Sequence, residues 1–146
     1  MPAPQNFKNH ARIDPPYHYI IAPIILANLV HAAYITVNDW PLHSHSNLWW
    51  IVVSIALVLM VLKLRTYPLT VQNRVIRLEE RIRYGALLPT TELSKSNQLT
   101  LPQIIALRFA SDAELPGLID RAIAEELTPK QIKQSIVTWR PDYDRV

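Results

Sequence analysis

The chain has 146 residues, with 15 Lys and Arg against 12 Asp and Glu, a formal net charge of +3 and no cysteine. The lack of cysteine excludes disulfides, thiolate metal sites, iron–sulfur clusters and covalent haem attachment. The small basic excess comes from residues that flank two apolar stretches, so we expect no nucleic-acid partner.

The first apolar stretch, residues 17–37, contains no Asp, Glu, Lys or Arg. The hydrocarbon core of a bilayer is about 30 Å thick and takes about 20 helical residues to cross, so this stretch predicts a transmembrane helix. A signal peptide is the competing interpretation. Against it, the stretch is long, it starts late in the chain and no small-residue cleavage site follows it.

A second apolar stretch covers residues 48–62. Lys63 and Arg65 follow it, and their long side chains can extend toward headgroups, so the span continues to residue 67. Aromatic side chains with one polar atom favour the headgroup level and mark the ends of both spans. They are Tyr17, Tyr19, Trp40, Trp49, Trp50 and Tyr67. The two spans predict a transmembrane helical hairpin at 17–67.

Basic residues flank this hairpin but are absent from its connecting loop, residues 38–47. Lys8 and Arg12 precede the first span. The residues after the second span include Lys63, Arg65, Arg74 and Arg77. Because Lys and Arg near a span stay on the cytoplasmic side during insertion, we expect the N-terminal arm, 1–16, and both termini to be cytoplasmic.

Residues 68–89 form the next predicted element, an amphipathic helix. Pro68 removes a backbone donor, so we expect a kink or an interruption there. Apolar residues at steps of four, three, four and four form one narrow stripe, which predicts a partner surface. They are Val71, Val75, Leu78, Ile82 and Ala86. Gly85, just before Pro89, predicts the end of the helix.

Arg74, Arg77 and Arg81 form a second stripe beside the apolar one. Three interpretations stay open for these arginines: anionic lipid headgroups, an acidic partner protein, or solvated ion pairs with Glu79 and Glu80. The three arginines are therefore candidates for partner or lipid contact.

Residues 90–98 are polar and predict a linker, and residues 99–146 predict a cytoplasmic domain of three short helices. Each helix start carries a capping-box signal. The signals are Thr100 with Gln103, Ser111 with Glu114, and Thr128 with Gln131. The expected core residues are Ile104, Ile105, Leu107, Leu115, Leu118, Ile119, Ala122, Ile123, Leu127, Ile132, Ile136, Val137 and Trp139. Because so small a core is marginal alone, we expect it to dock on the stripe at 71–82, in the same chain or a neighbouring one.

Polar residues inside the spans predict helix contacts. Asn28 and His31 share one helix face, and hydrogen-bonding groups in lipid need partners. With Ala32 and Ser54 they are the candidates for helix packing. In the alternative, His31 is a haem ligand, a quinone contact or a proton relay, although the second span supplies neither a histidine nor a carboxylate.

Two further groups have a chemical and an ordinary interpretation. His43, Ser44 and His45 beside Asp39 resemble part of a divalent metal site, but a short polar turn is the simpler interpretation, so we expect no metal and no cofactor. The tail contains Trp139, Arg140 and Tyr143, residue types enriched at binding surfaces. These three are candidates for partner contact, with a lid over the domain's own core as the alternative.

Several runs resemble an uncharacterised family of small bacterial two-span membrane proteins, a domain of unknown function. The runs are QNFKNHARIDPPYHY at 5–19, RVIRLEERIR at 74–83, LRFASDAELPGL at 107–118 and IKQSIVTWRPDYDRV at the end. The resemblance implies a two-span helical protein of the bacterial inner membrane, and it implies no activity and no catalytic residues.

The sequence contains no glycine-rich phosphate loop, nucleophile elbow or His-Glu-x-x-His motif, so we expect no enzyme. The fold class predicted is all-α, a transmembrane hairpin followed by a small cytoplasmic helical domain. This combination favours an accessory or scaffolding subunit of a larger membrane protein complex, with the lipid bilayer and that complex as partners. The alternatives are a homo-oligomeric channel or sensor, or a redox accessory subunit that contacts haem or quinone through His31.

Overall fold

The computed structural model describes residues 5–10 and 13–142, and these contain six α-helices. The helices are α1 (Ala22–Asn38), α2 (Ser44–Leu87), α3 (Thr90–Lys95), α4 (Leu101–Leu107), α5 (Leu115–Ala124) and α6 (Pro129–Ser135). A π-helical segment, Pro16–Ile21, precedes α1, and a 3-10 turn, Ser96–Gln98, follows α3. The described residues contain no strand, which confirms the all-helical fold class.

The described residues divide into two compact units. The hairpin unit contains residues 13–69, and the head unit contains residues 5–10 together with 70–142. Residues 5–10, part of the predicted N-terminal arm, belong to the same unit as residues 70–142.

In the hairpin unit, α1 and the first part of α2 pack side by side and run in opposite directions. Tyr17 Oη donates a hydrogen bond to the Val61 carbonyl at 3.0 Å, and Ala32 and Ser54 are fully buried in the hairpin. Most other apolar side chains of the two helices are exposed, and 11% of the most apolar window of each is buried. Two helical segments are long and apolar enough to cross a membrane: Pro16–Asn38, which includes the π-helical segment, and Ser44–Leu87.

Helix α2 passes Pro68 without interruption, contrary to a break at that position. Pro68 removes a single backbone donor, and the turns on both sides keep their own hydrogen bonds. The helix starts at Ser44, inside the predicted loop, and it ends at Leu87. Its end is explained by Pro89, which disfavours helical geometry at the residue before it, and not by Gly85, which lies within the helix.

Beyond the end of the helix, Leu88 is 7% exposed, and the head core is built on the side of α2 formed by Ile76, Glu80 and Tyr84, which are 6%, 4% and 1% exposed. We call this side the inner face. The core cluster consists of Tyr84, Leu88, Leu99, Ile104, Ala106, Leu107, Phe109, Ala110, Leu115, Leu118, Ile119, Ala122, Leu127, Ile132 and Ile136. The predicted docking of this core on the 71–82 stripe of the same chain is wrong, because the large ring of Tyr84 lies on the inner face and the stripe residues are exposed.

Two of the three predicted capping boxes are confirmed, at Thr100 with Gln103 and at Thr128 with Gln131. The box at Ser111 is wrong, because Glu114 is itself the N-cap residue of α5. The predicted linker at 90–98 is helical, since it contains α3 and the 3-10 turn. Val137, expected in the core, is 86% exposed.

Candidate functional site

The head contains an open pocket of about 670 Å³ between α2, the end of α4 and the C-terminal segment. It is lined by Ile76, Glu79, Glu80, Arg83, Arg108, Asp112, Arg140, Pro141 and Asp142. Seven of these nine side chains are charged at neutral pH. The pocket is therefore the candidate site at which the head's polar chemistry is concentrated.

Glu80 lies at the centre of this pocket and is 4% exposed. Its carboxylate accepts a hydrogen bond from Arg83 Nη1 at 3.1 Å, and Arg140 Nη1 lies 3.7 Å from its other oxygen. Burial raises the pKa of Glu80 above its ordinary value, although the charges of Arg83, Arg140 and Arg108 act in the opposite direction. The cost of removing this carboxylate from water thus exceeds the gain from its cationic neighbours.

Arg83 joins α2 to the chain that follows α4. Its Nη2 donates to the Ala110 carbonyl at 2.8 Å, and its Nε donates to Asp112 Oδ1 at 2.8 Å. With Glu80 on the remaining nitrogen, all three guanidinium nitrogens have acceptors. Such multiple contacts need the planar fork of arginine, which the single ammonium of lysine does not reproduce.

Arg108 forms the second ion pair of the pocket, with its Nε 3.1 Å from Asp142 Oδ2. Its side chain is 9% exposed and its guanidinium lies 4.6 Å from the centre of the Phe109 ring. The backbone of Asp142 also binds the side-chain amide of Gln5 through two hydrogen bonds of 2.9 Å. The pocket wall thus joins α4, the C-terminal segment and the N-terminal arm.

An aromatic cluster continues from this wall and holds His10. The His10 ring lies 5.8 Å from Phe109 and from Trp139, and 5.9 Å from Phe7. Its Nδ1 lies 2.7 Å from the Phe7 carbonyl, and its Nε2 lies 3.1 Å from Lys133 Nζ. His10 thus connects the N-terminal arm to Lys133 of α6.

Glu114 connects the start of α5 to the segment after α6. Its carboxylate accepts hydrogen bonds from the backbone N–H of Val137 at 3.1 Å and of Thr138 at 2.6 Å. Partial burial acts to raise the pKa of Glu114, but these hydrogen bonds outweigh it and lower the pKa below its ordinary value. The capping-box glutamate predicted from sequence therefore serves a tertiary contact.

Each arginine of the charged pocket lies beside an acidic side chain. Arg83 and Arg140 share Glu80, and Arg108 has Asp142. Arg140 and Asp112 are 54% and 65% exposed and carry one charge of each sign to the surface. The arrangement is suited to hold segments of the head together and to present a mixed-charge surface to a partner.

In the hairpin unit, three of the four candidates for helix packing lie together and the fourth does not. Asn28 Nδ2 donates to Ser54 Oγ at 2.8 Å, and Ser54 in turn donates to the Trp50 carbonyl at 2.8 Å. Ala32 is buried beside them, whereas His31 is exposed on the outside of the hairpin. The structure thus brings together Asn28, Ala32 and Ser54 and leaves His31 apart.

The candidates for partner contact occupy different environments. Arg74, Arg77 and Arg81 are exposed. Trp139 is half-buried against the head core, and Arg140 donates its backbone N–H to the Phe109 carbonyl at 2.8 Å. Tyr143 lies outside the described residues.

The loop group predicted as a polar turn lies in a turn between α1 and α2, in which the His43 N–H donates to the Asp39 carbonyl at 3.4 Å. Asp39 is the C-terminal cap residue of α1, and His43 and His45 are exposed around the start of α2. Among the described residues, no three His, Asp or Glu side chains are grouped as metal ligands would be.

Sequence reasoning missed Arg83, Arg108 and the role of Glu80. For Glu80 and Arg83 the available signal was the helical phase, because both lie near Ile76 and Tyr84 on one side of α2. A charged pair on the same side as buried apolar residues indicates a buried ion pair.

A family model described as a family of unknown function, DUF6526, matches residues 1–146. No curated protein and no solved structure matches the chain.

Proposed function

The chain belongs to DUF6526, a family of unknown function, and we propose that it is a non-enzymatic accessory or scaffolding subunit of a bacterial inner-membrane complex. In this proposal the hairpin unit is embedded in the bilayer and packs against a larger complex. The head unit is cytoplasmic and holds a partner.

Membrane insertion is supported by the surface of the hairpin unit. Large apolar side chains such as Ile24, Val30, Val52 and Leu59 are more than half exposed, a pattern that water penalises and lipid accepts. The polar groups Asn28 and Ser54 satisfy each other inside the hairpin. This surface supports the insertion of the hairpin in a bilayer.

The observation that carries the proposal is the contact between the two ends of the chain within the head unit. Gln5 binds the backbone of Asp142, and His10 packs against Phe109 and Trp139. This contact supports one shared compartment for the residues before the first span and after the second. A shared compartment needs an even number of crossings, and the two candidate spans would supply two.

Cytoplasmic orientation is supported by the basic residues. Lys8 precedes the hairpin, and Lys63, Arg65, Arg74 and Arg77 follow its apolar part, while 38–47 has no Lys or Arg. The positive-inside tendency places this side in the cytoplasm. There the exposed arginines of α2 and the surface at Arg140 are accessible to a partner protein.

Purification from the native membrane in mild detergent tests the proposal. The chain has a mass of 16.8 kDa. We expect the purified particle to be much heavier than a small oligomer of this chain and to contain a larger partner protein in fixed stoichiometry. The measurements are intact mass, protein composition and visible absorption. A colourless particle of this chain alone contradicts the accessory-subunit function.

One observation favours two further candidate functions. The first is a homo-oligomeric channel or sensor, and the second is a redox accessory subunit. His31 is exposed in the middle of an apolar helix, where an imidazole facing lipid is costly unless another helix or a cofactor covers it. His31→Leu distinguishes the candidates. A cofactor ligand would lose an optical signal, a proton site would change conductance or pH response, and a packing role would change stability alone.

A further inference from the structure

The side of α2 opposite the inner face carries exposed apolar residues beyond the hairpin. Val71, Val75, Leu78 and Ile82 are 62%, 47%, 61% and 67% exposed. We call these four residues the outer stripe. Because an α-helix turns about 100° per residue, the stripe points about half a turn away from Ile76, Glu80 and Tyr84. The head therefore leaves it uncovered.

We propose that the outer stripe pairs with the outer stripe of a second copy of this chain, in a short parallel two-stranded coiled coil. The spacing of four, three and four places Val75 and Ile82 at positions a and Val71 and Leu78 at positions d of a heptad. β-branched residues at a together with leucine at d favour two parallel strands. This assignment places the inner face at positions b, c and f, so pairing leaves the head core undisturbed.

The flanking charges specify the parallel orientation. Arg74 and Arg81 fall at positions g, and Glu79 falls at position e. In a parallel pair, position g of one helix meets position e of the next heptad of the other, five residues on, so Arg74 meets Glu79 of the second copy. Within the described residues neither Arg74 nor Glu79 forms an ion pair in its own chain.

An antiparallel pair is disfavoured by the same residues. It brings positions g of the two helices together and therefore juxtaposes arginines. Like charges that face each other across a helix pair are repulsive. The charge pattern thus selects one orientation.

The length of α2 argues against the hydrocarbon core of a bilayer as the occupant of the stripe. The helix has 44 residues, about 66 Å at 1.5 Å per residue, whereas the hydrocarbon core is about 30 Å thick. The predicted second span, 48–67, already supplies the roughly 20 residues that the core takes, and residues 71–82 follow it in the chain. Their orientation rests on the proposed function, since two copies inserted in the same direction present their stripes in parallel.

Single cysteines test this pairing directly, because the chain has none of its own. We would prepare Val71→Cys and Leu78→Cys at positions d, and Arg77→Cys at the exposed position c as the matched control. Isolated membranes are treated with a short thiol-specific crosslinker, and the products are separated by mass. We expect a covalent dimer for both d variants and monomer for the control. Monomer from all three, or equal dimer from all three, overturns the proposal.

Charge reversal tests the orientation. In the Leu78→Cys background, Arg74→Glu should reduce crosslinking, because it places two carboxylates opposite each other. Adding Glu79→Arg should restore it, because the pair is then reversed but again complementary. If Arg74→Glu reduces crosslinking and the added Glu79→Arg does not restore it, the parallel assignment is wrong.

Labelling of the same Arg77→Cys variant distinguishes a failure of the coiled-coil proposal from a failure of the proposed topology. A membrane-impermeant maleimide should label it only in inverted vesicles. If labelling gives this result and neither d variant crosslinks, the coiled coil is refuted while the topology stands. If right-side-out vesicles are labelled, the proposed topology itself is wrong.

Discussion

Gln5 and Asp142 lie 137 positions apart, and the side-chain amide of Gln5 exchanges two 2.9 Å hydrogen bonds with the backbone of Asp142. The amide donates from Nε2 to the Asp142 carbonyl and accepts from the Asp142 N–H at Oε1. The same aspartate binds Arg108 through its carboxylate. The start of the chain and its end are thus joined at one wall of the charged pocket.

Gln5→Ala should release the N-terminal arm from the head. Each of the two hydrogen bonds contributes about 0.5–1.5 kcal/mol, so we expect faster amide exchange at residues 5–10 and at Asp142 with little change in global unfolding. Hydrogen exchange measured by mass spectrometry in detergent checks this. Asn6→Ala is the matched control, because among the described residues the Asn6 side chain accepts a hydrogen bond from the Lys8 N–H of the same arm. Equal protection in both variants would contradict the assigned role of Gln5.

Arg83→Met should destabilise the head strongly, because it leaves the buried Glu80 without its nearest cation. Removing one partner of a buried ion pair costs about 3–5 kcal/mol, and Arg83 also loses its contact with Ala110. Arg83→Lys should recover only part of this loss, since it keeps the charge without the fork. Thermal unfolding in detergent measures both. Arg81→Met, at an exposed position, should change stability by about 0.5 kcal/mol or less.

Local signals in the sequence identified the features that depend on neighbouring residues. The two hydroxyl caps at Thr100 and Thr128 were predictable because each box is complete within four residues. The two long apolar helices were predictable because length and polarity are local properties. The third box failed because the carboxylate of Glu114 has a competing use, 23 residues away, at the Val137 N–H.

The choice between the two sides of α2 was not available from the sequence alone. The outer stripe, which includes Leu78, is wholly apolar and looks like the docking side, whereas the inner face contains Glu80 and lies beside Arg83. Burial of those charges depends on Asp112, Ala110 and other acceptors that only the folded head brings near. Apolar periodicity therefore predicted that the helix has two distinct sides and assigned the core to the wrong one.

Glu80 should make the head less stable as pH rises. Its pKa is raised above 4.5 by burial, so the folded state binds the proton more tightly than the unfolded chain. The contribution is fully present below the unfolded pKa and is lost as pH rises through the raised folded value. The side chain of Glu80→Gln cannot lose a proton. The free energy of unfolding of the native chain should therefore decrease relative to that of the variant as pH rises through this window. Denaturant unfolding in detergent from about pH 4 to 8 measures this difference. A difference that stays constant would contradict the raised pKa.

Glu114 should act in the opposite direction. Hydrogen bonds from Val137 and Thr138 lower its pKa below 4.5, so its stabilisation is present above that pH and is lost as pH falls through the lowered value. At neutral pH, Glu114→Gln should cost about 1 kcal/mol, at the low end for charge-assisted hydrogen bonds because solvent reaches the carboxylate. The cost should disappear in acid. Glu125→Gln, which removes an exposed pair with Arg121, is the control and should show no comparable loss.

Asn28 and Ser54 should be energetically coupled within the hairpin, whereas His31 should not be coupled to either. Interhelical hydrogen bonds in membranes contribute about 0.6 kcal/mol on average, so Asn28→Ala should destabilise the hairpin by about this amount. Ser54→Ala also removes the contact with the Trp50 carbonyl and should cost slightly more. A double-mutant cycle on unfolding in bilayer-mimetic micelles isolates the pair, because the double variant should cost less than the sum of the single ones.

The same cycle between His31→Leu and Ser54→Ala should be additive, since His31 lies on the outside of the hairpin. Coupling of His31 with Ser54 would show that His31 faces the second helix of the hairpin and would contradict its position on the outside.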